Sequence, residues 1–207
     1  MRQRNRLACG WALVALIGII VNLVVLVAAP VLRPDLDLLQ KSLSYYAVGP
    51  WGVIQAVAFG ALGISSVALA IALRPAAPAT RWIWPIILLL IISGVASLGL
   101  VCYPVDAPGP TTILGDAHQT AGTIGGVAQL GAAFIFTIAI RGDPAWGGLY
   151  LAALALFLLA LAGALLSQVE IWWPYLGIPM GATMRLLVIP LVALWGLVAL
   201  RLRRTCA

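Results

Sequence analysis

Charged residues are scarce in this sequence, because aspartate, glutamate, lysine and arginine together make up only 9% of its 207 residues. A soluble domain typically carries about a quarter. Hydrophobic residues make up 63% of the chain, and the mean hydropathy is +1.10. One core in water could not bury that much apolar surface. The composition therefore excludes an ordinary soluble domain and indicates a protein of the lipid bilayer.

Residues that carry metal and redox chemistry are also scarce. His118 is the single histidine, and there are three cysteines. Catalytic zinc usually takes three protein ligands, and bis-histidine haem ligation needs two histidines, so we expect no metal site and no haem or zinc cofactor. Only Cys102 lies near the predicted oxidising side, so we expect no intrachain disulfide. No basic patch with aromatic platforms is present, and we expect no nucleic-acid partner.

Six apolar stretches are each long enough to cross a bilayer, which takes about 20 residues in a helix. They lie at about residues 8–31, 51–73, 82–102, 117–140, 148–169 and 183–200. None alternates apolar and polar residues in the way that a transmembrane strand does. The sequence therefore predicts an all-α, polytopic membrane protein, with residues 1–207 forming one bundle of six transmembrane helices.

Small and apolar residues predict further details of this bundle. In the first connection, Leu36, Leu39 and Leu43 have helical spacing, which favours a short interfacial helix. Glycines at close spacing allow helix backbones to approach in lipid. The glycines expected to pack helices together are Gly60, Gly63, Gly122, Gly125 and Gly126. We expect helices 2, 3 and 4 to be the central ones.

Basic residues are unevenly divided between the two ends of the predicted bundle. One end carries nine arginines: Arg2, Arg4, Arg6, Arg74, Arg81, Arg141, Arg201, Arg203 and Arg204. The other end carries Arg33, Lys41 and Arg185, together with five of the six acidic residues. The positive-inside rule then predicts that both termini are cytoplasmic.

Three short motifs resemble those of a bacterial and archaeal membrane family known as domain of unknown function 998. The motifs are LSYYAVGPWG before helix 2, YPVD after helix 3, and the histidine at the start of helix 4. The matching positions are Ser44, Gly49, Pro50, Pro104, Asp106 and His118. The resemblance covers nearly the whole chain in layout. It implies a six-span helical fold in the cytoplasmic (inner) membrane, and it brings no assigned activity.

The sequence predicts the contacts of three polar residues near the predicted outer face, Asp116, His118 and Arg185. The motif DAHQ fits a capping box, so we expect Asp116 to cap helix 4, which would then begin at about residue 117. His118 shares a helix face with Gly122 and is expected to point inward, close to Asp106 or Ser44. Arg185 lies inside helix 6, and we expect it to pair with an acid, Asp106 or Glu170.

Function is less determined than fold. The main hypothesis is a non-catalytic protein that binds membrane lipid or another hydrophobic ligand, or an accessory partner of other transmembrane subunits. Its polar pocket would lie at the outer face, between helices 2, 3, 4 and 6. Candidate ligand-binding residues are Gln55, Asp106, His118, Gln129 and Arg185.

An alternative is a membrane-embedded hydrolase or transferase acting on lipids. Its candidate nucleophile, base and orienting residues are Ser44, Asp106, His118 and Glu170. A small transporter and a redox or pigment-binding helper are further alternatives.

The orientation is testable by cysteine labelling in a background without the native cysteines. A cysteine at Ala107 should react with a membrane-impermeant maleimide added to intact cells, whereas one at Ala77 should react only after permeabilisation. This follows from the nine-to-three division of basic residues. The reverse labelling pattern would show that the orientation is inverted.

Overall fold

The computed structural model describes residues 2–76, 82–107 and 110–204. In these ranges the chain forms α-helices and short 3-10 helices, without a strand. The six α-helices are α1 (Arg2–Leu32), α2 (Gly52–Ala76), α3 (Ile83–Cys102), α4 (Ile113–Ala139), α5 (Tyr150–Trp172) and α6 (Met180–Arg204). All six are long and apolar enough to cross a membrane. The prediction of an all-helical, six-span fold is therefore confirmed.

The first connection is less helical than its apolar spacing predicts. Its helical part is a single 3-10 turn, Leu43–Ala47, and the residues before it form turns and bends. Tyr46 does not lie on the bundle surface, since only 2% of it is exposed. Its ring lies 5.5 Å from the guanidinium carbon of Arg185. The first connection therefore packs onto the bundle, with the ring of Tyr46 against the guanidinium of Arg185 on α6.

The helices alternate between two ends of the bundle. We call the end at which α1, α3 and α5 finish the long-loop end, and the end at which α1 begins and α6 finishes the terminal end. At the long-loop end, the backbone N–H of Ala182 donates to the carbonyl of Leu39 at 2.9 Å. At the terminal end, Arg203 donates to the carbonyl of Cys9 at 3.4 Å. These contacts join α6 to the rest of the bundle at both of its ends.

The same terminal contact explains an error in the sequence analysis. Cys9 is disulfide-bonded, so the expectation of no disulfide is wrong. The expectation considered only which side of the membrane is oxidising, and it did not foresee that the start of α1 lies beside the last turn of α6. Cys102, at the end of α3, is free and exposed.

Glycines allow several helices to approach each other closely. A Cβ added to Gly63 would lie 2.8 Å from the carbonyl oxygen of Gly94, so the α2 and α3 backbones are nearly in contact there. At Gly125 the contact with α3 is looser, 3.4 Å to Ala96. The tightest contact between α5 and α6 is at Gly163, where a Cβ would collide with the α6 backbone at Leu187. The sequence analysis did not include Gly163.

Burial is greatest in α2 and α6, and α3 is no more buried than α1. The expectation that helices 2, 3 and 4 are central is therefore wrong for helix 3 and omitted helix 6. The reason is that α6 packs against α1 and α5 and also contacts α2 and α4. Apolar composition alone does not rank helices that are all hydrophobic enough to face lipid.

The half of the bundle next to the terminal end is densely filled. Phe136 of α4 lies at its centre, fully buried, with ring-centroid distances of 5.7 Å to both Trp146 and Trp195. Alanines and leucines of α1, α2 and α6 surround these rings. Aromatic side chains supply large buried volume, so this half holds the helices together.

Gly163→Ala tests the close contact of α5 and α6. The added methyl group meets backbone atoms that cannot rotate away, and we expect it to destabilise the protein by about 1–3 kcal/mol. The measurement is thermal unfolding in detergent. Gly126→Ala is the matched control, since a Cβ there has no neighbour within 4 Å and alanine favours helix. Equal midpoints for the two variants would contradict the assignment.

Candidate functional site

A cavity of about 280 Å³ occupies the half of the bundle next to the long-loop end. Residues of α1, α2, α3, α4 and α6 line it, together with Ile171 of α5. Ser42, Leu43 and Ser44 of the first connection cover it at the long-loop end, and Gln129 marks its deepest part on α4. The cavity therefore begins where the densely filled half of the bundle ends.

The wall of the cavity is mostly apolar with a small set of neutral polar side chains. These are Asn22, Ser42, Ser44, Gln55, Ser93, Ser97, Gln119 and Gln129. Among the lining residues, all of which belong to the described ranges, none is charged. A buried wall of this kind can offer hydrogen bonds but no counterion.

The side-chain amide of Asn22 forms a hydrogen bond through its nitrogen but not through its oxygen. Its Nδ2 donates to the carbonyl of Ala58 at 3.1 Å, which fixes the orientation of the amide, because a carbonyl can only accept. Its Oδ1 is buried and has no hydrogen-bond partner in the part of the chain that the structure describes. Asn22 therefore presents an unused acceptor.

The neighbours of Gln129 likewise fix the orientation of its side-chain amide. Ser66 donates its hydroxyl proton to the carbonyl of Leu62 at 3.0 Å, so its oxygen must accept the bond of 3.0 Å from Nε2 of Gln129. Nε2 is consequently the donor end of the amide. The described residues supply no partner for Oε1, which is a second unused acceptor.

Two further polar residues of the wall lack partners among the described residues. Gln55 is only 5% exposed and makes no hydrogen bond there, and the buried hydroxyl of Ser93 has none either. Leaving a buried polar group unsatisfied costs about 1–3 kcal/mol. Such groups are uncommon in native structures.

On the α4 side of the cavity, the glycines at positions 122 and 126 leave the backbone without side chains. A Cβ added to Gly126 would meet no atom within 4 Å, and one added to Gly122 would meet only Leu100, at 3.8 Å. Both glycines line the cavity. Gly126 thus provides space rather than a helix contact, in contrast to Gly63. Gly60 is similarly loose, with Val101 at 3.8 Å.

His118 is buried, as its spacing predicts, with 1% of its surface exposed. Its Nδ1–H donates to the carbonyl of Tyr103 at 2.7 Å, and its Nε2 is buried without a partner among the described residues. It does not line the cavity. Phe59 does, and Phe59 also packs edge-on against the imidazole at 5.9 Å. One aromatic side chain therefore lies beside both the cavity and the histidine.

The start of α4 corrects the expectation for Asp116. The N-cap is Thr112, whose hydroxyl oxygen accepts from the N–H of Gly115 at 3.1 Å, so α4 begins at Ile113. Thr112 is itself held by Asp106, which accepts from its N–H at 2.8 Å and from its hydroxyl at 2.7 Å. Asp116 lies within the first turn instead. The cap depends on a carboxylate six residues upstream, which the local motif does not include.

Arg185 has no acidic partner, so the expected pairing with Asp106 or Glu170 is wrong. The salt bridge found among the described residues joins Arg33 and Asp35 at 2.7 Å. Nη1 of Arg185 instead donates to three backbone carbonyls, those of Leu38 at 2.6 Å, Gly181 at 2.9 Å and Lys41 at 3.3 Å. Carbonyl dipoles therefore take the place of an acid at Nη1, whereas Nε and Nη2 are buried without a hydrogen-bond partner among the described residues.

The candidate residues of the two main hypotheses fall in different places. Gln55, Gln129 and Ser44 line the cavity, whereas Asp106, His118, Glu170 and Arg185 do not. In the described ranges, no hydrogen bond links Ser44 to His118 or Glu170. The same ranges contain no group of three or more histidine, cysteine or acidic side chains placed to hold a metal ion.

Asn22, Ser93 and Ser97 belong to the site but were not among the ligand-binding candidates. A signal for Asn22 exists in the sequence, since an amide in the middle of an apolar span is itself unusual. Serines give a weaker signal, because a serine in a membrane helix commonly satisfies itself on its own backbone, as Ser65 does on Ala61 at 2.6 Å.

Comparison with known proteins adds a family. A family model described as protein of unknown function (DUF998) matches residues 16–201. The resemblance noted in the sequence is thus confirmed over most of the chain. No curated protein and no solved structure matches.

The bonds at the start of α4 predict a pH dependence. The backbone N–H of Thr112, followed by its hydroxyl, lowers the pKa of Asp106 below its ordinary value. The contact should therefore be complete above about pH 3.9 and lost as the pH falls through the lower folded value. The amide NMR shift of Thr112 in micelles reports this. Thr112→Val should raise the midpoint, and Asp106→Asn should abolish the transition. A midpoint above 3.9 in the unmodified protein would contradict the capping role.

Proposed function

We propose that this chain, which belongs to the family described as protein of unknown function (DUF998), binds a lipid-like hydrophobic ligand in the cavity between its helices. The observation that carries the proposal is the set of buried residues Asn22, Gln55, Ser93 and Gln129 in a mostly apolar wall, each of which has a polar atom without a partner among the described residues. Ligand sites typically combine apolar walls with a few convergent polar groups.

A purely structural bundle would gain stability by filling this space. The half next to the terminal end shows that the chain has the side chains to do so, since Phe136, Trp146 and Trp195 pack against one another in its core. The cavity half carries glycine at 122 and 126 instead, together with amide oxygens that have no partner among the described residues. Both features lower the stability of the protein alone, and a bound ligand would compensate for both.

The size of the cavity suits part of a lipid. Pockets for small molecules usually have volumes of about 300–1,000 Å³, and this one is about 280 Å³. The head of a lipid and the first part of a chain would fit. The remainder would leave between α4 and α6, whose packing is sparse and whose ring contact, Phe136 with Trp195, lies in the terminal half.

The proposal includes the orientation that the arginines predict, and it thereby places the disulfide-bonded Cys9 at the cytoplasmic end, where disulfides are rare. With both termini cytoplasmic, the long-loop end faces outward and the cavity lies in the outer half of the cytoplasmic (inner) membrane. Membrane lipid is then the nearest source of ligand, because it surrounds the gap between α4 and α6.

Gly126→Leu tests the site. A leucine side chain at 126 has room to form and would fill the cavity, so lipid retained after purification in mild detergent should fall at least about fivefold, a loss of about 1 kcal/mol. Native mass spectrometry measures the retained lipid. Gly10→Leu is the matched control, since position 10 also has no neighbour within 4 Å but lies at the start of α1. It should retain lipid like the unmodified protein. Equal retention by all three proteins, or none by any, would refute the proposal.

A further inference from the structure

We infer that the ligand is an uncharged lipid with a free hydroxyl group, which donates a hydrogen bond to the amide oxygen of Asn22 or of Gln129. This inference rests on the proposed function and adds the chemical class of the ligand. It follows from two properties of the cavity wall, its lack of charge and its two amide oxygens without a partner among the described residues.

The absence of charge excludes ionised head groups. Lys41, Glu170 and Arg185 each adjoin a lining residue in sequence, yet none of the three lines the cavity. Lys41 lies over the ring of Tyr45 at 4.9 Å, and Nη1 of Arg185 donates to backbone carbonyls of residues outside the cavity wall. A phosphate, carboxylate or ammonium in the cavity would therefore lose its hydration without gaining a counterion, which is strongly unfavourable.

The hydrogen-bonding groups require a donor. The orientations of both amides are fixed by neighbours that can serve in only one role, the carbonyl of Ala58 and the already donating hydroxyl of Ser66. Each amide is left with its oxygen and one of its two N–H groups unused. A ketone or a fully esterified lipid brings only acceptors and would leave both oxygens unsatisfied. A hydroxyl group can donate to one of them and can also accept from the amide of Gln55.

The depth of the acceptors limits the size of the head group. Asn22 is ten residues from the end of α1 at Leu32, and Gln129 is sixteen residues from the start of α4 at Ile113. With a helical rise of 1.5 Å per residue, they lie about 15 and 24 Å from the long-loop end of their helices. These depths fall inside the hydrocarbon core, which is about 30 Å thick. Only a lipid with a small head, such as a single hydroxyl, can place its head there.

The test compares three lipids that differ only in the head position. Radiolabelled 1,2-dioleoylglycerol is uncharged with a free hydroxyl, its acetyl ester is uncharged without a donor, and dioleoyl phosphatidic acid is charged. Binding to the purified full chain in detergent is measured directly and by competition. Dioleoylglycerol should bind at least about tenfold more tightly than either of the others, a difference of about 1.4 kcal/mol.

Variants then test whether Asn22 and Gln129 cause the preference for a free hydroxyl group. Asn22→Leu and Gln129→Leu remove the acceptors, so the preference for the free hydroxyl over the acetyl ester should fall to about twofold or less, while the acetyl ester still binds. Gln168→Leu is the control, because Gln168 is an exposed glutamine on α5 outside the cavity, and it should keep the full preference. The lipid series on the unmodified protein gives an answer even if a variant fails to fold.

The outcomes separate this inference from the proposed function. Equal binding of dioleoylglycerol and its acetyl ester, both blocked by Gly126→Leu, would overturn the hydroxyl requirement and leave the lipid site intact. Tighter binding of phosphatidic acid would overturn the requirement for an uncharged head. No binding of any of the three, together with no lipid retained on purification, would overturn both proposals and would mean that only water meets the amide oxygens.

Discussion

The guanidinium of Arg185 holds the long-loop end together. Its Nη1 donates hydrogen bonds to the carbonyls of Leu38, Lys41 and Gly181, and the guanidinium lies over the ring of Tyr46. The close fit shows at Gly181, where a Cβ would lie only 2.5–2.6 Å from carbonyl oxygens of residues 38–41. This packing lays the first connection across the start of α6 and thereby places Ser42, Leu43 and Ser44 over the cavity. Because dipoles replace an acid as the partner of Arg185, the cavity is closed without a carboxylate in its wall.

Small residues in the bundle serve two opposite purposes. At Gly63 and Gly163 the missing side chain lets two backbones meet, which gains dispersion contacts where lipid offers no hydrophobic driving force between helices. At Gly126 the missing side chain leaves space that no neighbour fills. The aromatic cluster around Phe136 supplies the packing that the hollow half lacks. The aromatic packing next to the terminal end thus adjoins a cavity in whose wall some polar atoms have no partner among the described residues.

The sequence predicted what depends on composition and on spacing within one helix. The six spans follow from apolar length, and the burial of His118 follows from its register with the glycines of α4. It could not predict features that depend on contacts between distant segments. Thr112 and Asp116 are both good caps, and the choice between them is made by Asp106 from the preceding connection. The acceptors of the cavity exist only because Asn22 reaches Ala58 and Gln129 reaches Ser66 on another helix. No pattern within a single span contains that information.

The uncharged wall of the cavity also has an electrical consequence. Moving one elementary charge through a membrane potential of 100 mV involves about 2.3 kcal/mol of work. A neutral molecule that passes between the bilayer and a wall without charged side chains moves no charge through the field and does none of this work. Its residence would depend on its abundance in the bilayer and on the contacts it makes. The cavity would therefore fill to the same extent in an energised and in a depolarised cell.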